Sequence, residues 1–156
     1  IKRYLSPDGI WVFEMSYMPN MLELDSYDTI CHEHLEFYSL AVLEKIVAMA
    51  DMKIFKIIFN DINGGSIRCY ATHTESGLYY NKENHKLMND IRQKEFDLEL
   101  DTDKPYVAFQ YRIEKVKNEL HDLLVKLKHE GKRVHIYGAS TKGNTILQWC
   151  DINSML

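Results

Sequence analysis

The sequence predicts an α/β fold, on three observations. Short apolar runs bounded by turn residues alternate with segments of helical periodicity. Two of those runs are separated by a glycine-rich turn suited to a hairpin. Near the C-terminus a further run passes through a glycine turn into the start of a helix. The order strand, loop, helix, strand, hairpin, strand is that of the closing half of an open α/β sheet, followed by a long helix and the start of a second α/β unit.

Each element has a local reason. Ser6-Pro7-Asp8-Gly9 is a turn, with Pro at its second position and Asp-Gly behind it. Ile10-Trp11-Val12-Phe13 is a continuous apolar run, which predicts a strand buried on both faces and ending at Glu14. After an irregular stretch beyond Pro19, Ser39 caps a helix over 40–49, whose apolar positions Leu40, Leu43, Ile46, Val47 and Ala50 recur at helical spacing. Lys53 to Phe59 and Ser66 to Thr72 read as strands, and Asn60-Asp61-Ile62-Asn63-Gly64-Gly65 supplies the antiparallel return. Asn81 to Glu99 is charged and weakly periodic, a helix or linker carrying little core. A long helix follows over 106–128, with an apolar stripe of Val107, Tyr111, Val116, Leu120, Leu123, Leu124 and Leu127 and a stop at Gly131. Val134-His135-Ile136-Tyr137 reads as a short strand, and Gly138 to Asn144 as the turn into a helix starting at Thr145.

Composition excludes several classes. The chain has 156 residues, 46% of them hydrophobic and 27% charged, enough apolar content for a core and too much for a disordered chain. Nineteen basic against 23 acidic residues leave a net charge of −4, which argues against a nucleic-acid binder that neutralises phosphates. No apolar run approaches the roughly 20 residues of a membrane span, and no signal-peptide pattern opens the chain. Cys31, Cys69 and Cys150 are widely separated and odd in number, which predicts a reducing, cytoplasmic setting. With no CxxC pair, no cysteine zinc site is expected within the chain. Length alone fits one domain, but the pattern predicts a fragment straddling two: residues 1–76, a linker or helical segment over 77–104, and 105–156 as the start of another domain.

The densest chemical signal is Tyr27-Asp28-Thr29-Ile30-Cys31-His32-Glu33-His34, predicted to be a loop. Two imidazoles flanking a carboxylate can move protons near neutral pH, because histidine titrates there and the carboxylate can fix its tautomer. A zinc-protease site is excluded, since Glu36 stands four residues after His32 where a second histidine is required. A His-x-His metal pair and a polar loop of ordinary hydrogen bonds remain open alternatives. The turn over 138–144 can hold a phosphate at a helix N-terminus, or can simply be a tight strand-to-helix connection. It is not a P-loop, and Ser140 replaces the middle glycine of a dinucleotide fingerprint. Glu14 and Tyr17 stand just beyond the carboxyl end of the first predicted strand, where open α/β sheets bind ligands. His73, His121 and His129 read as structural or solvated, and Trp11, Tyr17, Tyr79, Tyr80 and Trp149 as packing residues.

The run over 27–40, YDTICHEHLEFYSL, is similar to the signature of S-adenosylmethionine-dependent C-methyltransferases acting on nucleotide-linked keto-deoxysugars. Three further pieces fall in that family's order. Leu5-Ser6-Pro7-Asp8-Gly9 resembles the turn before the fifth strand of class I, Rossmann-like methyltransferases. Asn63-Gly64-Gly65-Ser66-Ile67-Arg68 resembles the hairpin between the last two strands, and Gly138 to Thr145 resembles the phosphate-binding turn of the family's C-terminal domain.

The resemblance implies C-alkylation: a proton leaves the carbon next to a sugar ketone, and the enolate attacks the sulfonium methyl in line. His34 matches the family's catalytic base and Glu33 its acidic neighbour. Cys31, His32, Glu14, Tyr17 and Asn63 are expected near the sugar, Ser140 and Lys142 near the diphosphate, and Asn144 in the same substrate site. The residues that bind S-adenosylmethionine are expected upstream of residue 1, as is the zinc site that relatives carry. The implied partner is a nucleotide-linked ketosugar. Two positions depart from the pattern: Cys31 stands where sugar-modifying members commonly carry tyrosine, and Asn63 where several carry histidine. Both bear on the identity of the substrate. Two competing readings are a fragment of a nicotinamide-dependent sugar-nucleotide oxidoreductase and a non-catalytic binding module. The first needs an acidic residue about 20 positions after the glycine turn, beyond the chain's last residue.

Overall fold

The computed structural model describes residues 1–77, 79–138 and 140–152, with the backbone alone at Asn63. The chain forms two compact units, one from Ile1–Met21 and Glu36–Thr102, the other from Leu22–Leu35 and the chain from Asp103 onward. Secondary structure is mixed α/β, as the sequence predicts.

The first unit is built on three strands, β1 (Trp11–Ser16), β2 (Met52–Asn60) and β3 (Ser66–His73), in the order β1-β3-β2. The central strand β3 runs antiparallel to both neighbours. Asp61 to Gly65 turns the chain between β2 and β3 as expected, and a register irregularity at Ile54/Lys56 interrupts the ladder. A short helix α1 (Met18–Glu23) follows β1, and α2 (Leu40–Ala48) follows after the loop. The Ser39 hydroxyl accepts from the Val42 amide at 3.3 Å, the predicted cap.

Two expectations are corrected here. The first strand lies at 11–16 rather than 10–13 and is not buried on both faces. Val12 is 49% exposed and Glu14 lies within the strand, because Trp11, Phe13 and Met15 alone turn to the core of this antiparallel sheet. The charged segment after Asn81 does carry core. It is helix α3 (Lys82–Asp97), which buries Met88 and Ile91 beside Leu40, Leu43, Val47, Ile57, Ile67 and Cys69. Two apolar residues on one helical stripe suffice to dock it, too few to raise a periodic signal in a polar sequence.

Glu95, also on α3, is a buried carboxylate that holds the start of α2. Its Oε1 accepts from the Leu40 amide at 2.6 Å and from the Tyr17 hydroxyl at 2.8 Å, and its Oε2 accepts from the Ala41 amide at 2.9 Å. A distant side chain thus satisfies amides that the helix itself leaves unpaired.

At Gly65 the lack of a side chain is demanded twice. Its φ is +113°, and a Cβ there would collide with the Asn20 side chain, while its carbonyl accepts from the Tyr17 amide at 3.1 Å. Gly65→Ala is expected to lower stability by about 1–3 kcal/mol, measured as a fall in the urea midpoint without a change in slope.

The second unit contains the long helix α4 (Lys104–His129) and α5 (Thr141–Trp149). Gly131 ends α4 as predicted. Its φ is +70°, and the Lys132 amide donates back to the Leu127 carbonyl at 3.0 Å. Leu124, Cys150 and Ile152 form this unit's core with Tyr27, Leu120, Val134, Ile146 and Leu147 around them. The stripe expected on α4 is covered only in part. Phe109, Ile113 and Leu124 are buried, whereas Val107, Tyr111 and Leu123 are exposed.

The expected strand over 134–137 does not form. Those residues pair with no strand among the described residues, and a strand without a ladder partner has no means to satisfy its backbone. The last helix starts at Thr141, not Thr145, because Ser140 caps it and brings Lys142, Gly143 and Asn144 into its first turn. Tyr80, expected to pack, is exposed, while Tyr79 stacks on Phe55 with ring centroids 4.7 Å apart. Among the described residues no helix is long and apolar enough to cross a membrane.

Candidate active site

The loop that carries the two histidines belongs to the second unit. Arg112, on α4, holds its entry by donating from Nε to Asp25 at 2.8 Å and from Nη2 to the Leu22 carbonyl. A 3₁₀ turn over Tyr27–Thr29 follows, closed by the Thr29 hydroxyl donating to the Ser26 carbonyl at 2.7 Å. The Tyr27 hydroxyl lies 3.6 Å from the Cys150 sulfur, at the far end of α5. Burial, and then the nearby thiol, push the Tyr27 phenol well above its ordinary range, so it stays neutral.

Beyond this turn the chain doubles back, and the His34 amide donates to the Cys31 carbonyl at 3.0 Å. Glu33 is the hub of the resulting cluster. Its Oε2 accepts from the Cys31 thiol at 3.5 Å, and its Oε1 accepts from the Thr141 hydroxyl at 3.4 Å. His32 Nε2 lies 3.8 Å from the same Oε1, with 84% of its side chain exposed. The Thr141 hydrogen bond above all, then that of Cys31, hold the Glu33 carboxyl below the usual carboxylate range; burial opposes them, and the charges of His32 and His34 add smaller contributions in the lowering direction. Glu33 is therefore an acceptor at neutral pH. It can orient an imidazole or receive a hydroxyl, but it does not serve as a proton donor there. Among the described residues no set of three or more His, Cys, Asp or Glu side chains is arranged to hold a metal ion.

The glycine turn enters this cluster through α5. The Ser140 hydroxyl accepts from the Gly143 amide at 3.2 Å, which makes it the helix cap. Lys142 is half-buried and Asn144 exposed, both on the first turn. Ala139 lies outside the described residues. The structure thus brings Cys31, His32, Glu33 and the start of α5 into one unit, although the two segments stand more than a hundred residues apart.

The other residues singled out in the sequence belong to the first unit. Glu14 lies opposite Arg68 in the β1–β3 register and accepts from its Nε at 2.7 Å and from Asn60 Nδ2 at 2.9 Å. Asn60 first and Arg68 second lower the Glu14 carboxyl below its ordinary range. Tyr17 is buried, and its hydroxyl is committed to Glu95. Burial first, and then the neighbouring carboxylate, raise that phenol far above its usual range. The side chain of Asn63 lies outside the described residues, and its backbone forms the turn between β2 and β3.

Reading residues one segment at a time missed Asn60, Arg68, Glu95 and Thr141. Asn60 and Arg68 were within reach, since strand alternation and a hairpin register place them on the face of Glu14. Thr141 had a weaker signal as the residue after a helix cap. Glu95 had none.

Comparison with known proteins agrees with the motifs. The family model of the C-methyltransferase C-terminal domain matches residues 61–156. The chain is also similar to C-methyltransferase NovU of Streptomyces niveus, with 27% identity over 152 residues. That match covers 97% of this chain and 35% of the relative, so the chain spans about a third of the relative's length. With more than half of its residues under the family model, and the glycine turn and long helix inside that span, this chain belongs to the C-methyltransferase C-terminal domain family.

Proposed function

We propose that the protein transfers a methyl group to the carbon next to a ketone in a nucleotide-linked sugar, and that this chain supplies the acid–base loop and part of the sugar-nucleotide site. The observation that carries the reading is the ionised Glu33 set between His32 and His34 and tied to the first turn of α5. S-adenosylmethionine supplies the electrophilic methyl when bound and leaves as S-adenosylhomocysteine. His34 takes the α-proton of the ketosugar, which is too weakly acidic to leave unaided at neutral pH. Glu33 holds either that imidazole or a sugar hydroxyl. Orientation of the resulting enolate towards the methyl contributes several kcal/mol more.

The sheet supports a Rossmann-like, class I reading of the first unit. Both β1 and β2 are antiparallel to β3, so they run parallel to each other with α2 between them in the chain. Among the described residues β1 pairs on one side only, which leaves an edge able to receive further parallel strands. The free cysteines Cys31, Cys69 and Cys150 favour a reducing, cytoplasmic compartment.

The test is product analysis with the intact protein, carbon-13-methyl S-adenosylmethionine and a panel of nucleotide-linked ketosugars. A methyl resonance coupled to a sugar carbon is expected. A methyl found only on oxygen or nitrogen, or no transfer to any ketosugar, overturns the reading. Lys142 gives a separate check on the diphosphate contact. Lys142→Ala is expected to weaken nucleotide-sugar binding by about tenfold, the loss of one charge-assisted hydrogen bond, while binding of S-adenosylmethionine is unchanged. Isothermal titration with each ligand reads both, and an unaltered sugar affinity removes Lys142 from the site.

A further inference from the structure

We infer that Thr141 is a positioning residue for Glu33: its hydroxyl sets the orientation of the carboxylate, so the first turn of α5 aims the acid–base loop. The inference rests on the proposed role of Glu33, and neither the family match nor the motifs assign Thr141 any part.

The geometry argues for it in three steps. Each oxygen of Glu33 has its own donor, Thr141 Oγ1 on Oε1 and Cys31 Sγ on Oε2, at 3.4 and 3.5 Å. A carboxylate held at both oxygens from two different segments cannot turn about its last torsion without losing one of them. Cys31 is on the same loop as Glu33 and moves with it, whereas Thr141 is on a helix. Of these two donors, Thr141 is the one that references the carboxylate to a fixed frame.

That frame is itself secured. The Ser140 cap accepts from the Gly143 amide at 3.2 Å, and the Asn144 amide donates to the Ser140 carbonyl at 3.1 Å. The Thr145 hydroxyl donates to the Thr141 carbonyl at 3.1 Å. At its other end α5 buries Cys150 against Tyr27, which leads into the same loop. Threonine is also stiff at its first side-chain torsion, so a hydroxyl placed there stays aimed. The remaining groups facing Glu33 are weaker guides. His32 is exposed to water, where an ion pair is screened and contributes little, and His34 acts on Glu33 through its charge. The Thr141 hydrogen bond is also the largest of the influences that lower the Glu33 carboxyl below its ordinary range.

Thr141→Val keeps the shape and deletes the donor, while Thr141→Ser keeps the donor. In the intact protein, Thr141→Val is expected to raise the Glu33 titration midpoint, followed by carbon-13 NMR of its carboxyl, and Thr141→Ser to restore it. With turnover as the second readout, Thr141→Val is expected to lower kcat by about 10–100-fold, the scale of a misplaced catalytic group, with KM for either substrate nearly unchanged. A variant with wild-type Glu33 titration and wild-type kcat overturns the inference. Should Thr141→Val not fold, Thr141→Ala also lacks the hydroxyl and gives the same two readouts. Glu33→Gln separates this inference from the reading beneath it. Full turnover in Glu33→Gln would remove Glu33 from catalysis, while the NMR titration would still report whether Thr141 holds the carboxylate.

Discussion

Replacing His34 by alanine in the intact protein is expected to lower methyl transfer by about 10²–10⁴-fold while S-adenosylmethionine still binds. The range is that of a lost general base, and the direction follows from the chemistry of a ketone α-proton at neutral pH. The loop should survive the change. His34 is exposed, and the contact that closes its turn runs from its backbone amide to the Cys31 carbonyl, which alanine retains. Two measurements make the assignment specific. Exchange of the sugar α-proton with deuterated water, followed without methyl transfer, should stop in His34→Ala. Added imidazole should recover part of the exchange and part of the turnover. Exchange at the parental rate would show that some other group takes the proton.

Glu95→Ala should have the largest effect on the fold, a loss of about 3–5 kcal/mol, seen as a lower urea midpoint. The carboxylate is 5% exposed and takes three donors, the Leu40 and Ala41 amides and the Tyr17 hydroxyl. Alanine would strand all three in or near the core, and each unsatisfied buried group costs about 1–3 kcal/mol before any relaxation. Glu95→Gln keeps the shape and one acceptor oxygen. Placed to serve Leu40 and Tyr17, its amide nitrogen would face the Ala41 amide donor, so a smaller loss of about 1–3 kcal/mol is expected. Tyr17→Phe removes one donor together with its need and should cost about 1 kcal/mol. A Glu95→Ala protein within about 1 kcal/mol of the parent would mean that water replaces the carboxylate at the start of α2.

The local elements were legible because their causes are local. Ser39 before an apolar helical face announced α2, the glycine pair after Asn63 announced the hairpin, and Gly131 announced the end of α4. The residues that most resemble a catalytic signature, His32, Glu33 and His34, stand side by side in the chain, so they needed no fold to be noticed. The family was readable for the same reason: its motifs are short and arrive in order. Where a cause was non-local, the reading failed or stopped. Helix α3 looked like a solvated segment because Met88, Ile91 and Glu95 find their partners only across the sheet and on α2. The run over 134–137 has a strand's composition, but a strand is a property of a pair.

By itself, then, the sequence determined the α/β class, the capped start of α2, the hairpin turn and the end of α4, and the imidazole–carboxylate cluster that defines the chemistry to be tested. The tertiary structure alone decided which groups complete that cluster and which are spent elsewhere. It brought Thr141 to Glu33 across more than a hundred residues, committed Tyr17 to Glu95, and set Glu14 against Arg68 and Asn60. The physical reason is that hydrogen bonds and burial act over a few ångströms in space, whatever the separation along the chain. A carboxylate's partners, and with them its charge state, belong to the fold.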